Sequence, residues 1–196
     1  MFEYEGSTLD PRVATFGIRA AARVIDTLFL ILPGFVATVI ALIVLVLRRQ
    51  PGTPALWARH MGGLSLVGVA ISFLGTAVYH ALSEFVGGAT VGKLVCGLRV
   101  VSEDFTPVSF RGTVVRSLAF VVDSFLFGLI GYRSMNASSL AQRYGDHWGK
   151  TIVVRIREFR EASRGPVLVL LGLFMGLAAC VILQVLFLVA KVVAAS

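Results

Sequence analysis

The chain has 196 residues, of which 57% are hydrophobic and only 15% charged, well below the roughly one-quarter charged fraction of soluble domains. That balance excludes an ordinary water-soluble globule and points to a membrane protein. The net charge of +7 does not indicate a nucleic acid, because the basic residues flank apolar stretches, where anionic lipid headgroups and cytoplasmic retention account for them.

At the N-terminus, Glu3, Glu5 and Asp10 take the place of the basic run that opens a signal peptide, so the first apolar helix is expected to be retained as its own insertion signal. Residues 27–47, 61–83 and 165–190 contain no Lys, Arg, Asp or Glu. Each is long enough to cross the hydrocarbon, which takes about 20 apolar residues. A further stretch, 117–132, is only 16 residues long and carries Asp123, so it is marginal as a span. Residues 143–164 hold the densest basic run and read as a juxtamembrane segment in contact with lipid.

The placement of Lys and Arg bears on topology. If all four apolar stretches span, the basic residues divide 8 against 10 and give almost no orientation. If the third stretch enters and leaves by one face, 14 lie on the N-terminal side. Only Arg48, Arg49, Arg59 and Lys191 then lie opposite, a positive-inside pattern that makes the N-terminus cytoplasmic. Two β-branched runs, Leu98-Arg99-Val100-Val101 and Thr151-Ile152-Val153-Val154, read as strands able to pair. Pairing puts both on the same side of the membrane. Gly128 and Gly131 also interrupt the third stretch, and irregular backbone at membrane depth needs protein or a wet cavity to cover it.

The expected fold is therefore an all-α membrane protein of three to four transmembrane helices. Its third apolar segment is either re-entrant or a fourth span, and a short cytoplasmic strand pair and an amphipathic connector complete it. The chain divides into a polar tail (1–14), a membrane domain (15–155), a basic connector (156–164) and an additional C-terminal helix (165–196).

Arg19 precedes Asp26, and Arg116 precedes Asp123, by seven residues, so each pair shares a helix face. Charges at the centre of a membrane helix cost about 2.5 to 3.5 kcal/mol each, which usually turns them toward protein or water. Seven residues is about 10 Å along the axis, too far for a comfortable direct bond. Arg23, three residues before Asp26, is the better local partner. Asp123 has no basic residue three or four positions away, so Arg19 or Arg116 is expected to reach it across helices. Such charges serve either as structural ion pairs that fix register or as carboxylates that bind a cation or relay a proton.

Other features are weaker. Gly87, Gly92 and Lys93 imitate a phosphate-binding loop, but Leu94 stands where a Ser or Thr must meet magnesium, and a membrane helix precedes the loop. Lys93 and Arg99 are instead expected to meet headgroups from the amphipathic connector. His60, His80 and His147 are scattered near membrane interfaces, and Cys96 and Cys180 have no metal-like spacing. Neither a disulfide nor a bound metal is expected. The absence of any catalytic Ser, His and acid set argues against an enzyme and gives no reason to expect a cofactor. Gly172 and Gly176 have the GxxxG spacing of close helix packing, onto this chain's own bundle or a second copy.

Four motifs taken together resemble the RDD family of bacterial membrane proteins, which is named for one arginine and two aspartates. They are Arg19-Ala20-Ala21-Ala22-Arg23-Val24-Ile25-Asp26; Gly88 to Val101 with Pro107, Ser109 and Phe110; Arg116 to Asp123; and Gly145-Asp146-His147-Trp148-Gly149-Lys150-Thr151-Ile152-Val153-Val154. Arg19 and Asp26 match the family's arginine and first aspartate, while Asp123 and Asp146 both stand in contexts that suit the second. Beyond residue 155 the chain departs from the pattern.

The resemblance implies an integral protein of the bacterial cytoplasmic membrane that transports a small solute or ion, cation exchange against protons being the most concrete version. Asp26 and Asp123 would then bind the cation or proton, Arg19 and Arg116 would set their affinity, and Asp146 would anchor the cytoplasmic strand and turn. The alternative is a membrane scaffold or regulatory subunit in which the charges are structural. So few helices in one monomer suggest a homo-oligomer.

Overall fold

A computed structural model of the chain describes residues 12–47, 66–124, 128–157 and 165–193. Arg48, Arg49, Arg59 and His60 lie outside the described residues, as does the side chain of Lys191. The architecture is mostly helical. Helix α1 spans Phe16–Leu47, α2 Leu66–Gly87, the single-turn α3 Val91–Val95, α4 Phe110–Ser124, α5 Leu129–Asn136, α6 Tyr144–Gly149 and α7 Pro166–Val193. Strands β1 (Leu98–Ser102) and β2 (Thr151–Arg155) form a two-stranded antiparallel sheet, with Val100 opposite Val153.

The strand pair expected from the β-branched runs is present, and its continuous apolar character has a physical reason. Leu98, Val100 and Val153 pack on one side with Ala14, Ala22 and Val108, while Val101, Ile152 and Val154 pack on the other with Phe105 and Leu140. A sheet covered on both faces needs apolar residues at successive positions. The segment before α1 lies along the open edge of β2: Val13 bridges Val154, and the Ala14 N–H donates to the Val153 carbonyl at 2.8 Å.

This small sheet fixes one end of the helices. α1 leaves it and α2 returns to it, turning at Gly88, whose φ of +75° favours glycine; the Val100 N–H then donates to the Gly88 carbonyl at 2.8 Å. α4 leaves from Pro107, which bridges Val101. Gly128, at φ +85°, precedes α5, and α5 runs back to the sheet end, where Tyr132 meets the Phe16 ring edge-on at 5.3 Å and Met135 packs with Val13 and Ala141. The third apolar stretch is thus broken into a helical pair with both ends near the sheet.

Among the described residues, two helices are long and apolar enough to cross a membrane, over Val67–Gly87 and Pro166–Phe187. They pack antiparallel on one another. A Cβ on Gly172 would stand 2.7 Å from the Gly87 nitrogen, and one on Gly176 would stand 2.7 Å from the Tyr79 carbonyl, while Gly75 faces Cys180. The GxxxG pair therefore brings α7 against this chain's own α2. Small residues allow the backbones to approach where lipid gives no hydrophobic drive. Along α1 and α7, Val24, Leu28, Ile31, Phe35, Leu170 and Phe174 are exposed, an apolar outer surface suited to lipid.

Candidate functional site

The charges of α1, α2, α4 and α6 converge next to the sheet. Arg19, near the start of α1, donates from Nη1 to Asp146 Oδ2 at 2.7 Å, from Nε to the Ala14 carbonyl at 3.0 Å and from Nη2 to the Val153 carbonyl at 3.5 Å. Arg116, on α4, places Nη2 3.1 Å from Asp146 Oδ1 and Nη1 3.4 Å from Glu84 Oε2. Arg143 adds its backbone N–H to Asp146 Oδ2 at 3.3 Å, and its Nε lies 3.7 Å from the same oxygen. Asp146 is fully buried. The two arginines that open the seven-residue spacings therefore turn away from Asp26 and Asp123 and share Asp146.

Asp26 is held differently. Its Oδ2 accepts the Thr90 hydroxyl at 2.6 Å, and its Oδ1 accepts the Gly92 N–H at 2.8 Å and the Tyr79 hydroxyl at 3.3 Å. Arg23, expected as its local partner, instead contacts His80 Nε2 and lies over the Phe120 ring, 3.7 Å from the centroid. Three neutral donors already satisfy the carboxylate, leaving no need for the arginine. Asp123 also departs from expectation. Its nearest cation is Arg143, with Nε at 4.0 Å, and its Oδ2 accepts the Gly145 N–H at 3.3 Å.

Lys93 and Arg99, expected to meet headgroups, are buried. Lys93 Nζ donates to Glu84 Oε1 at 2.6 Å, because α3 is wedged against α1 and points its lysine inward. Burial lowers the Lys93 ammonium from its ordinary pKa, and Glu84 opposes that fall. Arg99 lays its stem against Gly88, where a Cβ would meet Arg99 Cγ at 3.2 Å. The connector is therefore a packed wedge and not an amphipathic surface helix; only Val95 is strongly exposed on it.

His80, expected at an interface, is buried beside the cluster, while His147 is exposed. An arginine cannot accept a hydrogen bond, so the contact with Arg23 leaves the His80 Nε2 lone pair free of a proton. The ring is then neutral, with its Nδ1 hydrogen facing Glu84 Oε1 at 3.6 Å. Sequence reasoning did not single out Glu84, which meets both Lys93 and Arg116. The one available signal was the His80 and Glu84 spacing of four residues at the end of an otherwise uncharged helix.

Burial alone raises the Asp146 carboxyl, but Arg116, Arg143 and Arg19 outweigh it and hold the pKa at about 2. A carboxylate depressed in the folded state adds stability above its unfolded value, near 4, and loses it as the pH falls through the folded one. The contribution, on the order of 2 kcal/mol, should fade between about pH 4 and pH 2. Thermal unfolding in detergent across that window checks this. Asp146→Asn should show the shallower decline, and equal slopes would contradict it.

Arg19, Arg23, His80, Glu84, Lys93, Arg116, Ser117, Phe120 and Arg143 surround a cavity of about 30 Å³. That is room for about two water molecules. Among the described residues, no group of three His, Cys, Asp or Glu is placed to hold a metal.

No curated protein and no solved structure matches the chain. The model of the RDD family, a family of membrane proteins, matches residues 13–150, the stretch that contains strand β1 and every charged residue of the cluster and ends just before β2. The chain belongs to the RDD family.

Proposed function

We propose that this RDD protein is a multi-pass protein of the bacterial cytoplasmic membrane that moves a small ion or solute through the charged cavity. The observation that carries this reading is the cavity itself, a polar, water-sized space among α1, α2 and α4, since buried charges in membrane proteins mark ion and solute pathways. α1, α2 and α7 serve as spans and the α4–α5 pair as a re-entrant element. The return of α5 to the sheet supports that topology. The sheet end is cytoplasmic, as the positive-inside count favours. Exposed Tyr144 and Trp148 on α6 suit a membrane interface, and a homo-oligomer would complete a path that one bundle is too small to enclose. Cysteine labels at positions 102 and 157 should react from the same side; labelling from opposite sides would overturn the re-entrant topology.

Exchange of a cation for protons requires a carboxylate that can release its partners. Asp26 is saturated by three donors, so Asp123, whose Oδ1 has no hydrogen bond among the described residues, is the better candidate. Ion flux from proteoliposomes is the test. Wild-type protein should dissipate an imposed ion gradient, and loss of proton-coupled flux in Asp123→Asn at normal abundance would support the exchange version. The second reading, a membrane scaffold or regulator, draws on the saturation of Asp26, which looks built for rigidity. A wild-type protein that reconstitutes fully and moves no ion would favour that reading.

A further inference from the structure

We infer that the cavity is a binding site for a small monovalent inorganic anion of the halide class. The assignment deepens the transport reading and rests on it for its consequence, but binding is measurable without flux. Five cations line the space, Arg19, Arg23, Lys93, Arg116 and Arg143, against a single lining carboxylate, Glu84. Adding the adjoining carboxylates Asp26, Asp123 and Asp146 still leaves the cluster one positive charge in excess, since His80 is neutral by its contact with Arg23. One buried positive charge calls for one negative charge, because an unpaired ion out of water is costly.

The unpaired cation can be named. Among the described residues Arg23 makes no ion pair within 4 Å; its guanidinium meets only the His80 ring and the Phe120 face. Other donors around the space are also unfilled. Arg116 Nη1, Arg143 Nε and the Ser117 hydroxyl are buried without a hydrogen bond, although Arg116 and Arg143 each lie near two carboxylates. Buried donors of this kind ordinarily find a partner. Guanidinium donors and a hydroxyl around a space this small suit a compact anion. They suit a cation poorly, because five cations line the space and its single lining carboxylate, Glu84, is already engaged by Lys93 and Arg116.

The test is the melting temperature of the purified full chain in neutral detergent, titrated with sodium chloride against sodium gluconate at constant ionic strength. A ligand that binds only the folded state raises the melting temperature with its concentration, so chloride should stabilise and gluconate should not. Arg23→Gln removes the lining cation that, among the described residues, has no carboxylate within 4 Å. It should fold and should raise the chloride concentration for half the effect by about tenfold or more, as expected for loss of a bond to a charged group. Ser117→Ala should weaken the effect less.

A wild-type protein indifferent to chloride overturns the assignment while leaving the transport reading to the flux measurement. An unchanged chloride response in both variants overturns it too, because the ion would then bind elsewhere. A response that follows sodium replaced by a bulky organic cation, and not chloride, makes the cavity a cation site and also overturns it.

Discussion

Replacing Asp146 with alanine should destabilise the folded protein by about 3 to 5 kcal/mol, the range for removing one partner of a buried ion pair. Three arginines from separate parts of the chain converge on this carboxylate: Arg19 at 2.7 Å, Arg116 at 3.1 Å and the Arg143 side chain at 3.7 Å. Without it Arg19 and Arg116 remain buried, at 7% and 3% exposure. Arg116 keeps Glu84, but Arg19 keeps only backbone carbonyls. Asp146→Asn retains the volume and one acceptor and should cost less. Denaturant or thermal unfolding in detergent measures both. A loss under about 1 kcal/mol for the alanine variant, the level of a surface pair, would show that the cluster does not hold α1, α4 and α6 together.

The parts of this site that rest on local pattern are legible in the sequence. The apolar stretches follow from the absence of charge, and the strand pair follows from two β-branched runs bounded by breakers. Arg19, Asp26, Arg116, Asp123 and Asp146 stand out as charges in apolar surroundings. What the sequence does not carry is which charge meets which. Helical spacing pairs Arg23 with Asp26, yet Thr90, Gly92 and Tyr79 reach that carboxylate first, from a segment more than fifty positions away in the chain. Lys93 and Arg99 read as surface residues because basic side chains beside a span usually meet headgroups. Arg99 is covered because its stem lies on Gly88, and the burial of Lys93 follows from α3 folding inward on α1, a turn that depends on a close approach between backbones.

That contact predicts the second large effect, for Gly92→Ala. A Cβ at Gly92 would collide with the carbonyl oxygen of Ala22 and stand 2.9 Å from Asp26 Cγ. The obstacle is helix backbone, which cannot rotate aside as a side chain would. α3 must therefore lift away from α1, and three consequences follow together: the Gly92 N–H leaves Asp26, the Thr90 hydroxyl loses its 2.6 Å bond, and Lys93 is drawn off Glu84. Overpacking alone costs about 1 to 3 kcal/mol. Stranding a buried carboxylate adds about 1 to 3 kcal/mol or more. The combined loss should approach that of Asp146→Ala, although alanine favours a helix more than glycine does. Ala22→Gly lacks the reciprocal benefit, because the clash is with the Ala22 backbone and not its methyl group, so the double variant should remain as unstable as Gly92→Ala. Unfolding measurements on the three variants test this directly. Recovery of stability in the double variant would mean that α3 meets α1 through side chains, and the close backbone approach would no longer explain why glycine stands at position 92.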